Sequence, residues 1–261
     1  MKSVSGEVVN NRRLGDDLFK IDIFSPYVCR NAGLGQFINI KCSEPGQHDP
    51  LLRRPFSIYD IEQSFNVITV LYQLRGKGTK YLSGLVKGDV IDFSGPLGQP
   101  IEISSDRVLL IGGGIGIAPL FFIASKCIAE SRKVRILAGF KDDSFRLIER
   151  DIMRLNIDYS IYCEKDHWAN PGQVVEGLAD IQKYSEYDTY CCGPRPMLKV
   201  LQNKLSEHRG KTVAILEEWM ACGVGVCAGC AVKIRQDMNG YVYKKVCSDG
   251  PAFNLREVIF D

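Results

Sequence analysis

Histidine is scarce in this chain, three residues in 261, and neither sign of charge is in excess: 33 Lys and Arg face 31 Asp and Glu. A net charge of +2 leaves no basic or acidic footprint for nucleic acid or for a membrane surface. No secretory leader is expected either, because Met1 to Glu7 carries no hydrophobic run. Without a route to an oxidising compartment, disulfides explain the ten cysteines poorly, and the expected location is the cytoplasm. No long apolar segment goes uninterrupted. Val108 to Ala129 holds a single charge, Lys126, but Gly112, Gly113, Gly114 and Gly116 break it and Pro119 follows. It reads as a buried strand, a tight turn and a buried helix, not as a membrane span. The G-x-G-x-x-G fingerprint is absent, as are the paired C-x2-C knuckles of structural zinc. His48, His167 and His208 fall in none of the motifs below.

Cysteine spacing leads what is present. Cys222-x4-Cys227-x2-Cys230 is followed, after sixteen intervening residues, by Cys247. That is the plant-type spacing for the ligands of a [2Fe–2S] cluster. Gly223, Gly225, Ala228 and Gly229 let the loop wrap closely and aim N–H groups at the sulfurs. Gly229 to Arg235 reads as a strand, Asp237 to Gly240 as a turn with the Asn-Gly signal, and Tyr241 to Val246 as the return strand. Such a hairpin carries Cys247 back beside Cys230. A zinc-stabilised binding module without catalysis is the rival, since zinc also takes four cysteines, but three ligands on one loop suit it badly. Cys127 and Cys163 sit in apolar surroundings as inert core residues.

The first hundred residues read as short strands at period two: Ser5–Val9, Asp17–Ile23, Gln36–Ile40 and Phe65–Tyr72. Asn10-Asn11, Gly15-Asp16 and Gly46 mark turns, and only Lys80 to Val86 looks helical. This is the pattern of a sandwich or a small barrel. Arg53-Arg54-Pro55-Phe56-Ser57 places two cations and a hydroxyl on a stiff extended segment, suited to clamping a diphosphate. Gly76-Lys77-Gly78-Thr79 opens the short helix, where free N–H groups receive phosphate.

From Arg107 the pattern changes. Val108–Ile111, Val134–Phe140, Ile157–Cys163 and a strand ending at Thr189–Pro194 alternate with helices at Leu120–Glu130, Glu149–Arg154 and Met197–Glu207. Alternation of this kind builds a parallel sheet with helices on both faces. The turn Gly112-Gly113-Gly114-Ile115-Gly116-Ile117-Ala118-Pro119 after the first strand is the natural dinucleotide crevice. Lys141-Asp142-Asp143-Ser144 sets one cation beside two carboxylates, which leans towards NAD over NADP.

These motifs in this order resemble the ferredoxin–NADP reductase superfamily. Within it, the chain is similar to the electron-transfer subunits of B-type, NAD-dependent dihydroorotate dehydrogenases. Arg53 to Ile58, Gly95-Pro96-Leu97-Gly98, Gly112 to Pro119, Cys192-Gly193-Pro194, Glu217 to Gly223 and Cys247 to Phe253 carry the likeness. Phe56 stands where many members have Tyr, and Trp219 where some carry Arg.

The resemblance implies a multidomain β and α/β fold. Residues 1–101 form an antiparallel β-barrel FAD domain, 102–212 a parallel-sheet NAD domain, and 213–261 a small β [2Fe–2S] subdomain. It places Arg54, Pro55, Phe56 and Ser57, Leu71, Tyr72 and Gln73, and Gly76, Gly78 and Thr79 around FAD. Gly113, Gly114, Gly116 and Pro119 would hold NAD, Cys192 would shape the hydride-transfer pocket, and Gly95 to Gly98 would be the turn closing the barrel. It also implies an FMN-containing catalytic subunit in a heterotetramer with two of each chain. That partner oxidises dihydroorotate, and electrons pass through the cluster and FAD to NAD+. Related subunits of hydrogenases, sulfide reductases or ferredoxin:NAD(P) transhydrogenases are the alternative.

Overall fold

A computed structural model describes residues 3–166, 168–237 and 240–260. Its first part runs β1 (Ser3–Arg13), β2 (Leu18–Phe24), α1 (Pro26–Asn31), β3 (Phe37–Ile40), β4 (Arg54–Glu62), β5 (Val67–Gln73), α2 (Lys77–Gly84) and β6 (Val90–Leu97). The six strands pair antiparallel into a closed barrel, in the order β1-β2-β5-β4-β3-β6. Period-two alternation fills it: along β6, Ile91, Phe93, Gly95 and Leu97 are buried, and Ile91 and Phe93 join the barrel core. Closure leaves no free sheet edge.

Three local expectations change here. Asn10-Asn11 is not a turn. β1 continues through it with a register shift between Val8 and Asn10. The Asn11 amide donates to the carbonyls of Leu82 and Leu85, at 2.8 and 2.9 Å, and so ties off the end of α2. The helix α1 was not expected. It is only six residues long, started by Pro26 at its first position, and held by burying Val28 and Cys29. Gly95 to Leu97 belong to β6 itself, and the chain turns at Gly98, with φ +82°.

The second part runs β7 (Arg107–Gly113), α3 (Ile117–Ala129), β8 (Lys133–Phe140), α4 (Arg146–Arg154), β9 (Asp158–Cys163), β10 (Asn170–Pro171), β11 (Asp188–Cys192), α5 (Arg195–Lys204) and β12 (Thr212–Ile215). β7 shows why both faces are covered. Val108 and Leu110 join a core with α3 and α4, while Leu109 and Ile111 join one with α5. The strand order is β10-β9-β8-β7-β11-β12, all parallel. The chain reverses direction across the sheet between β7 and β11, which opens a crevice at their carboxyl ends. The long apolar run is β7, a turn and α3. No described helix is long and apolar enough to cross a membrane.

The last part holds β13 (Ala231–Asp237), β14 (Gly240–Lys245) and β15 (Ala252–Asn254). β13 and β14 form the expected hairpin, though Met238 and Asn239 of its turn lie outside the described residues. A two-stranded hairpin is marginal alone. This one buries Val232 and Ile234 with Val246, Leu255 and Val258 in the core beside α5. β15 pairs antiparallel with β12 and becomes the outer strand of the nucleotide sheet.

Candidate cofactor cleft and cysteine site

One continuous cleft of ≈ 1590 Å³ runs between the barrel, the nucleotide sheet and the cysteine loop. A pocket for one drug-sized molecule spans about 300–1,000 Å³, so this cleft has room for more than one such ligand. Its barrel wall carries Arg54, Pro55, Phe56, Ser57, Leu71, Tyr72 and Gln73, with Gly76, Gly78 and Thr79 where α2 begins. Arg53 is elsewhere, bound to Asp92 of β6 at 2.8 Å. The Arg54 guanidinium donates through Nη1 to the carbonyls of Leu52 and Arg53, at 2.6 and 3.3 Å, which leaves Nε and Nη2 for the cleft. Any side chain at Gly78 would sit 3.4 Å from Arg54 Cγ. Thr79 Oγ1 accepts from the N–H groups of Arg75 and Gly76, at 2.8 and 3.2 Å, and so shapes the turn. Tyr72 is locked in place: its ring stacks on Phe19, meets the edge of Phe56, and its hydroxyl donates to Asn11 at 3.1 Å. Burial pushes that hydroxyl up, so it stays a donor.

On the opposite wall, Gly113, Gly114 and Gly116 border the cleft at the head of α3. Their smallness has separate causes. Gly114 has φ +54°, whereas a Cβ at Gly116 would lie 2.4 Å from the Cys192 carbonyl oxygen. No side chain caps α3 and no acid lies in its first turn, so the positive end of the helix borders the cleft at Ala118, although the Ile117 N–H bonds back to the Gly114 carbonyl and Pro119 has none. Pro119 is buried in the first turn of α3, away from the cleft wall.

Cys192 lies just beneath the surface, fully buried, with its Sγ 3.9 Å from Glu217 Oε1. Burial first, then Glu217, pushes this thiol well above its ordinary range and keeps it protonated. The Glu217 carboxyl opens onto the cleft yet is ringed by protein, and that desolvation raises it too. Sequence reasoning gave Glu217 no role. Its position follows from the pairing of Cys192 with Ile215, which no local pattern reveals. Arg195 pairs with Glu218 at the same rim, and Trp219 is 88% exposed there.

The cleft ends at Met220, Ala221 and Gly229 of the cysteine loop. Gly223, Gly225 and Ala228 adopt left-handed backbone, with φ +70°, +82° and +55°. Every sulfur accepts a backbone N–H: Cys222 from Val224 and Cys227, Cys227 from Gly229, Cys230 from Cys247, and Cys247 from Gly225, all at 3.1–3.5 Å. The N–H of Val224, then that of Cys227, draws Cys222 down to about 6, while burial and then Cys230 push Cys247 up to about 12. Iron would override both, because a coordinating thiol is deprotonated outright. With the Cys227 N–H on Cys222 Sγ and the Cys247 N–H on Cys230 Sγ, the thiols stand as two pairs. Among the described residues, no three His, Cys, Asp or Glu side chains converge closely enough for a single ion. Two thiol pairs ringed by N–H donors fit a two-iron cluster better than one tetrahedral zinc.

Residues 217–259 match the family described as the iron–sulfur cluster binding domain of dihydroorotate dehydrogenase B. A dihydroorotate dehydrogenase B (NAD(+)) electron transfer subunit from Caldanaerobacter subterraneus subsp. tengcongensis is 38% identical over 259 residues, 98% of each chain. The protein of that name from Bacillus mycoides is 35% identical over 258 residues, 97% of this chain and 96% of that one. Among solved structures, a chain from work on the NADH-dependent reduced ferredoxin-NADP oxidoreductase matches with TM-score 0.82 and 28% identity, covering 97% of this chain and 89% of that one. A ferredoxin NADP+ reductase from Neisseria gonorrhoeae with bound FAD and NADP, at TM-score 0.64 and 15% identity over 80% of this chain and 92% of its own, shares the fold. With relatives this similar along its full length, the chain belongs to the family of dihydroorotate dehydrogenase B (NAD(+)) electron transfer subunits.

Proposed function

We propose that this chain carries electrons from an FMN-containing catalytic subunit, which oxidises dihydroorotate, to NAD+, in a cytoplasmic heterotetramer with two of each subunit. The observation that carries this reading is the single cleft joining the barrel motif, the glycine turn and the cysteine loop. Residues 1–101, 102–212 and 213–261 then serve FAD, NAD and the cluster in turn, even though β12 and β15 from the third stretch complete the sheet of the second. When bound, the cluster supplies single-electron transfer and FAD converts single electrons to the hydride exchanged with NAD+.

The chain's own residues bind, orient and exclude water. Arg54 and the Gly78 N–H would hold the FAD diphosphate, with Gly76 and Thr79 fixing the turn. Pro55, Phe56, Leu71, Tyr72 and Gln73 would wall the flavin ring, and Ser57 beside them would offer it a hydroxyl. The α3 N-terminus, with Gly113, Gly114 and Gly116, takes the NAD pyrophosphate, and Pro119 stiffens the helix behind it. Cys192 fills the floor under the nicotinamide as a neutral thiol. Cys222, Cys227, Cys230 and Cys247 hold the iron, and their N–H partners stabilise the reduced charge.

A second reading, a subunit of a ferredoxin-linked NAD(P) oxidoreductase, has the solved neighbour in its favour. Identity of 28% to that neighbour against 38% to the dihydroorotate relative favours the first. Co-purification followed by cofactor analysis and a dihydroorotate–NAD+ assay decides between them. FMN in the partner and NADH formed from dihydroorotate support the proposal. A partner with [4Fe–4S] clusters and no such activity sinks it. In the same preparation, Cys222→Ser loses the cluster's paramagnetic signal while keeping FAD and NADH-driven dye reduction.

A further inference from the structure

Away from the cleft, a buried charged group joins the barrel to the nucleotide part. Lys20 of β2 pairs with Asp151 of α4, their side chains 10% and 12% exposed. The Tyr59 hydroxyl of β4 donates to the same Asp151 oxygen at 2.9 Å. Lys20 Nζ also lies 5.2 Å from the centre of the Tyr59 ring. That ring stacks on Phe121 of α3, with centroids 4.4 Å apart and planes at 7°. Beside it, Ser125 of α3 donates to Asp60 of β4 at 3.4 Å. Two barrel strands and two helices of the nucleotide part therefore meet at one point.

Two of those elements, β4 and α3, border the cleft, and the residues leading into β2 and α4 line it as well. Asp17 lines it just ahead of Lys20, Ser57 just ahead of Tyr59, Ala118 about a turn ahead of Phe121, and Phe145 at the head of the helix that bears Asp151. A buried ion pair adds little net stability over well-packed apolar side chains, but it tolerates one arrangement only, because a displaced partner leaves an uncompensated charge. Ring stacking at 7° restricts the same joint in a second direction.

We propose that Lys20, Asp151 and Tyr59 are positioning residues: they set the angle between the barrel and the nucleotide part, and through it the approach of flavin and nicotinamide. The inference rests on the reading that the two cofactors occupy facing walls of the cleft. A brace that only held the parts together would leave hydride transfer unchanged once stability was restored.

The test uses the complex as purified with its catalytic partner and FAD. Its variants are Lys20→Met/Asp151→Leu, which replaces the pair by apolar side chains, and Tyr59→Phe, which removes only the hydroxyl. Flavin absorbance gives FAD content, rapid-mixing reduction by NADH separates Kd from rate, and long-wavelength charge-transfer absorbance reports ring overlap. In the double variant, FAD content and NADH Kd stay near wild type. The reduction rate falls about tenfold or more, as a misplacement of about 1 Å can cost about a hundredfold, and the long-wavelength band weakens. Tyr59→Phe shifts rate and band the same way by less. Variants reduced at the wild-type rate with an unchanged band overturn the inference, and Tyr59→Phe alone decides it if the double variant does not fold. A wild-type complex that NADH does not bleach overturns the cofactor reading and this inference with it.

Discussion

Arg53 spends its guanidinium on Asp92 while its neighbour Arg54 turns to the cleft. Arg53 precedes β4 and is held against β6, so only Arg54, the first residue of β4, lines the cleft. Arg54→Ala removes a charge-assisted clamp of about 1.5–3 kcal/mol. FAD affinity should fall roughly 10- to 100-fold, read by flavin titration, and full retention of flavin would contradict the role given to Arg54. Cys192 is a different case. Its thiol is buried, held protonated by that burial and set against Glu217, which suits the proposed part of shaping the pocket and not that of a nucleophile. Cys192→Ala should slow flavin reduction by NADH on the order of tenfold without abolishing it, since placement and not bond-making is lost. Complete loss in a folded, FAD-loaded variant would assign the thiol a direct part in the chemistry.

Among the elements, α2 shows how a short helix is made to stay where a ligand needs it. It has eight residues, too few to be stable alone. Asn11 of β1 binds two carbonyls at its far end and accepts from the buried Tyr72 hydroxyl, linking the helix to the flavin wall. Asn11→Ala leaves those groups unsatisfied and should cost about 1–3 kcal/mol, measured by denaturant unfolding, with a modest loss of FAD affinity. Unchanged stability would mean that solvent replaces the amide. The cysteine loop is held in a comparable way: Lys245 of β14 donates to the Gly225 carbonyl at 2.9 Å, pinning the loop to its hairpin.

For the whole molecule, α3 is the shared piece. Phe122 packs into the barrel core and Phe121 stacks on Tyr59 of β4, while Leu120 and Ile123 join the core beside the nucleotide sheet. The cysteine hairpin in turn shares the core on the sheet's other face. Parts joined through common cores unfold together. We expect one thermal transition, and saturating FAD at a hundred times its Kd should add about 2.7 kcal/mol. For a chain this long that is a rise of very roughly 5–10 °C. Two separated transitions in calorimetry, with only the earlier one moved by FAD, would show instead that the barrel melts alone.

Features written along the chain were legible before folding. The cysteine spacing, the glycine turn after an apolar strand, and the switch from period two to strand–helix alternation are local, and each identifies its element by covalent distance or backbone freedom. Short or unpatterned elements escaped. α1 has too few residues to show a period, β12 has four, and β15 has three. Asn10-Asn11 misled because a turn dipeptide was recruited as a helix tie instead. The sequence by itself determined which chemistry is available: four thiols, a phosphate-binding turn and a flavin-type strand motif. Only the tertiary structure decided which groups act together. Pairing of Cys192 with Ile215 brings Glu217 to the thiol, the pairing of β4 with β3 sets Arg54 on the cleft wall, and β15 crosses back to the nucleotide sheet. Those outcomes depend on strand register between distant segments, and register is set by the core they bury together.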